Sequence, residues 1–242
     1  EYTAFALMKQ AKPGITLNPA DPADRRPIAI SQWFLKVLGS LLAARMYHWC
    51  FQEGVPGPEQ GGFLPLHRGE WHVWSLLEVL KQRRRQHLPS YVLFVDLKSA
   101  YDRVDPHTLW KVLDIMGFPD NIISLLASWS QQRTVSFKVN GTKTEPFPVR
   151  MGVGQGDILS PLLFILFLES LARALDLHPY LKGVKVGPMT LRYLFYADDI
   201  AVVADSAQEL HIALRAIHIW CVVWGMALGV GKGKTEAMAF PC

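Results

Sequence analysis

Three aspartates stand where an apolar chain should avoid charge. Asp96 closes the uninterrupted apolar run Tyr91–Val95, and Asp198 and Asp199 lie between two further short runs, Leu191–Tyr196 and Ile200–Ala204. A buried carboxylate is costly unless something neutralises it. If the runs ending at Asp96 and Tyr196 are neighbouring strands, the acids converge on one edge of a sheet, and like charges that close disfavour each other's ionised form. A divalent cation removes the conflict. Mg²⁺ suits the task because it is typically held by one or two carboxylates together with substrate phosphates. Two such ions ~3.5–4 Å apart can stabilise both the attacking and the leaving oxygen of an in-line phosphoryl displacement. Taken singly, each acid has a plainer reading, as a strand terminator or as a turn residue. Their combination points to chemistry.

The elements that must position these acids can be read from periodicity and punctuation. Tyr91–Val95 is β-rich and apolar throughout, as expected of a strand covered on both faces. The Pro/Gly-rich stretch from Lys12 to Arg26 reads as a loop ahead of a helix over Gln32–Trp49, and a second such loop, Gly54–Gly69, precedes a helix over Trp71–Arg85. The bases at the end of that helix, Lys81 to Arg85, suit either a helix C-terminus or a phosphate-facing patch. Helices near His107–Met116 and Asp120–Ser130 follow. Val135–Val139 then alternates and meets Asn140-Gly141, a strong hairpin signal. Ser160-Pro161 reads as an N-cap followed by a first-turn proline, opening a helix to about Leu175, and Ser206 caps a last helix to about Trp224. Without regular βαβ alternation, the class is α+β.

The chain has 242 residues, half of them hydrophobic and 19% charged, enough for a substantial core and too apolar for disorder. Twenty-five Lys+Arg against 21 Asp+Glu give a net charge of +4, which permits a polyanionic partner without requiring one. Cys50, Cys221 and Cys242 are odd in number and widely spaced, so neither a disulfide framework nor a thiolate zinc site is suggested and a reducing compartment is the default. The apolar stretches Ile158–Leu168 and Ala216–Gly231 fall short of the ~20 residues that span a bilayer and read as buried helices. The chain opens at Glu1 without a methionine or a basic leader, as expected of a piece of a longer protein.

Phe94-Val95-Asp96-Leu97-Lys98-Ser99-Ala100-Tyr101-Asp102, then Gln155-Gly156-Asp157-Ile158-Leu159-Ser160-Pro161, then Tyr196-Ala197-Asp198-Asp199 occur in an order that resembles the reverse transcriptases, nearest to the non-LTR retrotransposon and group II intron type. Arg26-Pro27-Ile28 and Gln60-Gly61-Gly62-Phe63 match earlier blocks of that lineage. The resemblance covers nearly the whole chain. It implies a right-hand polymerase core, with fingers at 1–88, a first palm part at 89–114, an excursion with a hairpin at 115–149 and a second palm part at 150–242. The palm is expected to be a small antiparallel sheet backed by helices, and the thumb to be absent.

The resemblance also assigns roles. Asp96 and Asp198 match the family's metal-binding aspartates, with Asp199 as the third acidic position and Leu97 offering a backbone carbonyl; the implied cofactor is a pair of Mg²⁺ ions, with Mn²⁺ as a substitute. Tyr101 matches the aromatic beneath the incoming sugar, whose ring fills the space of a 2′-hydroxyl. Gln155 and Gly156 match the loop against the incoming nucleotide and template base. Arg26 matches the fingers arginine on the triphosphate, where a guanidinium can bind phosphate oxygens in pairs, and Lys9 or Lys12 the second fingers contact. Lys234 or Lys232 matches the lysine near the leaving pyrophosphate, in a glycine-rich block, Gly225–Thr235, that departs from the family by lacking an asparagine.

The implied partners are an RNA template, a DNA primer and dNTPs, with no membrane, and the oligomeric state is open. The implied setting is intracellular, nuclear for a eukaryotic retroelement. Two alternatives stand beside this: an inactive reverse-transcriptase-like RNA-binding module, and an RNA-templated RNA polymerase. Gly233-Lys234-Thr235 also resembles the end of a phosphate-binding P-loop, but Leu228 stands where its first glycine belongs.

Overall fold

A computed structural model of the chain describes residues 1–9, 18, 21, 25–139, 141–231 and 233–242, without the side chains of 26, 27 and 139. Eleven strands and seven helices follow one another along these residues. They are β1 (Tyr2–Met8), β2 (Arg25–Ser31), α1 (Trp33–Glu53), α2 (Gly69–Arg85), β3 (Ser90–Val95), α3 (Ala100–Arg103), α4 (Pro106–Met116), α5 (Asp120–Gln131), β4 (Thr134–Val139), β5 (Thr142–Lys143) and β6 (Phe147–Pro148). After these come α6 (Ser160–Asp176), β7 (Val184–Val186), β8 (Met189–Leu191), β9 (Tyr193–Tyr196), β10 (Asp199–Ala204), α7 (Ala207–Val223) and β11 (Glu236–Phe240). The α+β class stands.

The expected small antiparallel sheet is present as β11-β3-β10-β9. Its central strand β3 is apolar because it is paired on both edges and covered on both faces: Leu93 and Val95 enter the main core, and Val92 a second cluster with Val184, Val186 and Val203. The backing helix α6 explains the long apolar stretch at 158–168. Leu162, Phe164, Ile165, Leu166, Phe167 and Leu168 are all buried, and a helix apolar all round is one surrounded by protein. Its neighbours include α4 and α7. Each such side chain contributes about 1.5–3 kcal/mol on burial, which makes α6 the platform on which the sheet edge is held. A second sheet pairs β2 antiparallel with β1 and β1 parallel with β4.

Several sequence expectations are corrected. The strand next to β3 is β10, which lies between β3 and β9, so the strands ending at Asp96 and Tyr196 are not direct neighbours. Arg26 belongs to strand β2, not to the preceding loop: Pro27 is tolerated because β2 is an edge strand. Leu191 ends a separate hairpin, β7–β8, rather than opening β9. The N-cap of α6 is Leu159, and Ser160 is its first residue with no capping bond. The last apolar stretch is helical only to Val223, where two exposed residues, Val222 and Val223, lead into a turn at Gly225 with φ +70°. The hairpin after Val139 is present, with Val139 opposite Thr142, while Asn140 lies outside the described residues. Arg83 is neither a dipole partner alone nor a phosphate contact: it is buried and pairs with Asp205 at 2.6 Å. Among the described residues no helix is long and apolar enough to cross a membrane.

Candidate active site

β3 delivers Asp96 to the sheet edge, because the last paired residue, Val95, is opposite Ile200. The residues that continue this register are Asp96 on one strand and Asp199 on the other, the first residue of β10. Ala197 and Asp198 form the turn between β9 and β10, closed by the Tyr196–Asp199 pair. The acids, 102 positions apart for Asp96 and Asp198, are thus brought to one end of the sheet by strand pairing. Asp199 is exposed, and Asp96 and Asp198 are half-buried.

A segment from the end of the chain wraps Asp96. Its carbonyl accepts from the Gly229 N–H at 2.7 Å, its own N–H donates to Thr235 Oγ1 at 3.3 Å, and the Lys98 N–H donates to the Ala227 carbonyl at 2.8 Å. Leu97, buried, bridges to Leu228. A Cβ at Gly229 would overlap the Asp96 carboxylate, so glycine is what lets that carboxylate stay in place; this accounts for one glycine of the block that lacks the family asparagine. The Lys234 ammonium lies 3.1 Å from both carboxylate oxygens of Asp96. Of the two lysines the sequence left open, Lys234 therefore reaches the acids, and Lys232 lies outside the described residues. The P-loop alternative fails on geometry, since strand β11 and not a helix follows Thr235.

Tyr101 stands in the first turn after β3, its ring stacked on Phe164 of α6 at 4.4 Å between centroids and 20° between planes. Burial raises the pKa of its phenol, and the charge of Asp198 raises it further, which places the two side chains in one electrostatic environment. The loop after β6 packs beneath. The Gly152 and Val153 N–H groups donate to the carbonyls of Val104 and Tyr101, both at 2.9 Å, and Arg133 donates to the Met151 and Gly152 carbonyls at 2.8 and 2.9 Å. The Gln155 side chain hydrogen-bonds Asp102, whose carboxyl is nevertheless raised because desolvation outweighs that bond and the nearby charges of Lys9 and Arg133.

The Gln155 carbonyl accepts from the Ala29 N–H at 2.7 Å. Gly156 has φ +97°, and a Cβ there would come 2.7 Å from the Ala29 carbonyl, so the glycine is needed for both conformation and approach. The loop that carries Gln155 and Gly156 is in this way joined to the strand that carries Arg26. The Arg26 side chain and Lys12 lie outside the described residues, while Lys9 follows β1 and is exposed. Asp157 accepts from the Tyr2 hydroxyl at 3.0 Å, which in turn accepts from Trp129 Nε1 at 3.1 Å, a contact that fixes the loop's far side.

Among the described residues no group of three or more His, Cys, Asp or Glu side chains is placed to hold a metal ion by itself. Asp96 nonetheless holds a cation, the Lys234 ammonium, with both oxygens, and the all-oxygen donor set of Asp96, Asp198 and Asp199 is that of Mg²⁺. In donor chemistry the residues fit the ion. Sequence reasoning missed Gly229 and Thr235, whose contacts span more than 130 positions, and Arg133, whose role is in backbone carbonyls. It also noted Gln60-Gly61-Gly62 without a function; a glutamine beside paired glycines was the available signal.

Comparison with known proteins gives the same picture. Residues 11–239 match the sequence profile of the family described as "Reverse transcriptase (RNA-dependent DNA polymerase)". The chain is 26% identical over 220 residues to the Pol polyprotein of the type-2 retrotransposable element R2DM of Drosophila melanogaster, covering 90% of the chain and 20% of that relative. It is 26% identical to the R2 Pol polyprotein of Popillia japonica, covering 93% of the chain and 32% of the relative. Identity is also 26% to the probable RNA-directed DNA polymerase from transposon BS of Drosophila melanogaster, over 97% of the chain and 25% of the relative. The chain spans about a fifth to a third of the length of these relatives. In fold it is similar to telomerase from Candida tropicalis bound to a telomeric RNA fragment, with a TM-score of 0.70 over 98% of the chain and 41% of that protein at 12% identity.

Proposed function

Because the chain belongs to the reverse transcriptase family, we propose that it is the polymerase segment of a retroelement protein and extends a DNA primer on an RNA template. The fingers are assigned to 1–88 with the 115–149 excursion, and the palm to 89–114 with 150–242. The observation that carries this reading is the meeting, at one end of a four-stranded sheet, of Asp96 with the turn bearing Asp198 and Asp199.

In this reading Asp96 and Asp198 hold divalent ions, Asp199 adds negative charge beside them, and Leu97 supplies a backbone carbonyl. Mg²⁺, or Mn²⁺, bound there would stabilise the charge that develops on the attacking primer 3′-oxygen and on the leaving pyrophosphate. The chain's own groups do the rest. Tyr101, braced by Phe164, presents its ring to the sugar and excludes a 2′-hydroxyl. Gln155 and Gly156 offer a close backbone surface to the incoming nucleotide, Arg26 and Lys9 neutralise its triphosphate, and Lys234, released from Asp96, turns to the leaving phosphates. Basic side chains and backbone N–H groups grip the primer–template, so affinity should fall as salt rises. The reaction is placed inside the cell, in the nucleus if the host is eukaryotic.

Primer extension on an RNA template with Mg²⁺ and dNTPs, comparing the chain with Asp198→Ala, tests the assignment. Loss of extension in the variant is expected. Equal extension by both defeats the mechanism, RNA binding without extension by the unsubstituted chain favours a binding module, and preference for ribonucleotides favours an RNA polymerase.

A further inference from the structure

Gln60 is 5% exposed, unusual for an amide side chain, and its Oε1 is shared by two backbone donors. One is the Gly62 N–H at 2.8 Å; the other is the Ala197 N–H at 3.0 Å, 137 positions away, in the turn that carries Asp198. Around this bond the chain before α2 is laid against β9. The Phe195 N–H donates to the Glu59 carbonyl and the Gly61 N–H to the Phe195 carbonyl, both at 2.8 Å, so that Gln60 bridges Phe195 like an extra strand residue. Gly62 approaches so closely that a Cβ there would overlap the Ala197 nitrogen, and a Cβ at Gly61 would meet the His72 ring.

Ala197 itself has φ +53°, a left-handed conformation that an alanine rarely adopts. Besides the Tyr196–Asp199 pair that closes the turn, the bond from Gln60 holds it from outside, and it acts on the residue immediately before Asp198. A buried amide rather than a carboxylate also accepts two N–H groups without placing another negative charge beside the acids.

From this geometry we infer that Gln60 is a positioning residue of the polymerase centre: by holding the strained Ala197 peptide it sets the direction of the Asp198 carboxylate. The inference rests on the function proposed above. Removing the acceptor lets the turn relax, so the metal-holding geometry loosens while contacts to the nucleotide from Arg26, Tyr101 and Gln155 persist. Outer partners of this kind typically alter metal affinity or activity by ~10–100-fold.

The test uses the full chain with Gln60→Met, which keeps length and bulk but has no acceptor, and Gln60→Glu, whose carbonyl oxygen accepts in either protonation state. Three readouts are made below the melting temperature of each variant: amide exchange at Ala197, Mn²⁺ binding to the free protein by calorimetry, and kcat and KM for dNTP in primer extension. Gln60→Met should expose the Ala197 amide to exchange, weaken Mn²⁺ binding about tenfold or more and lower kcat by a similar factor with KM unchanged. Gln60→Glu should recover most of each loss. In the Met background, Ala197→Gly should restore part of the Mn²⁺ affinity, because glycine adopts φ +53° without help.

Mn²⁺ binding and kcat within twofold of the unsubstituted chain in Gln60→Met, whatever its melting temperature, would overturn the inference and leave Gln60 a structural staple. If Gln60→Met does not fold, Gln60→Asn, one methylene too short to reach Ala197, is measured in its place with the same expected losses and the same overturning result. Absence of extension by the unsubstituted chain would defeat the polymerase reading alone, since amide exchange and Mn²⁺ binding still decide the role of Gln60.

Discussion

Replacing Lys234 with methionine removes the ammonium from the Asp96 carboxylate while keeping an apolar stem of similar length. The pair is bidentate at 3.1 Å, with the lysine side chain 43% and the aspartate 30% exposed. At that separation the bare Coulomb attraction is about 1 kcal/mol in water and larger in a protein environment. Side-chain ordering and partial desolvation offset much of it, leaving about 0.4–1 kcal/mol for a pair this open to solvent. A divalent ion that binds Asp96 must displace the ammonium, so the whole of that free energy opposes metal binding. Its removal should tighten Mg²⁺ or Mn²⁺ binding to the free protein about two- to fivefold, at about 1.4 kcal/mol per factor of ten. The gain should shrink in high monovalent salt, which screens an exposed pair. Calorimetric Mn²⁺ titration of both proteins at low and high salt measures it, with primer extension alongside. Tighter metal binding together with slower turnover is the expected signature, because the same lysine is proposed to serve the leaving phosphates. Unchanged or weaker Mn²⁺ binding in Lys234→Met would refute the competition.

Gly229→Ala should displace Asp96, since the added methyl overlaps its carboxylate and presses within 3.2 Å of its carbonyl; a loss of about 1–3 kcal/mol in denaturant unfolding and a more than tenfold weaker Mn²⁺ titration are expected. Tyr101→Val should lower discrimination between dNTPs and ribonucleotides at least about tenfold in kcat/KM ratios, a change of about 1.4 kcal/mol in relative transition-state binding; unchanged ratios would remove Tyr101 from the sugar site. Glu169 is raised above its ordinary 4.5 by burial, against the opposing Gly57 N–H bond and Arg173. A raised carboxyl binds its proton more tightly folded than unfolded, so its ionisation costs stability above the folded pKa and not below 4.5. The unsubstituted chain should therefore gain stability relative to Glu169→Gln as pH falls toward 4.5, followed by urea unfolding at several pH values.

What could be read from the chain was local. The run Tyr91–Val95 and its abrupt end at Asp96 announced a buried strand because covering both faces leaves no polar alternation, and Ser206 announced a helix start because its hydroxyl can accept an N–H of the first turn, as it does from Glu209. The order of acidic blocks then pointed to the chemistry. What could not be read depends on distant partners. β2 was hidden because Arg25, Arg26 and Pro27 look like loop residues until β1 pairs with them. β11 exists as the edge partner of β3, and its own exposed residues show no buried face. The place of β10 between β3 and β9, the Lys234–Asp96 pair and the Gln60–Ala197 bond all join segments whose separation leaves no periodic trace. The last helix ends where the sequence puts it, at about Trp224, but the apolar stretch Ala216–Gly231 is not one buried helix, because apolar character alone does not extend a helix past the turn at Gly225.

The bond between the Ala29 N–H and the Gln155 carbonyl, tightened by the close fit of Gly156 against Ala29, has a mechanical corollary. Strand β2 and the 154–157 loop are pinned to each other at Ala29, so a displacement of one backbone at that point is passed to the other. In the function proposed above, the strand that carries Arg26 and the loop that carries Gln155 would thus meet an incoming nucleotide from one shared support.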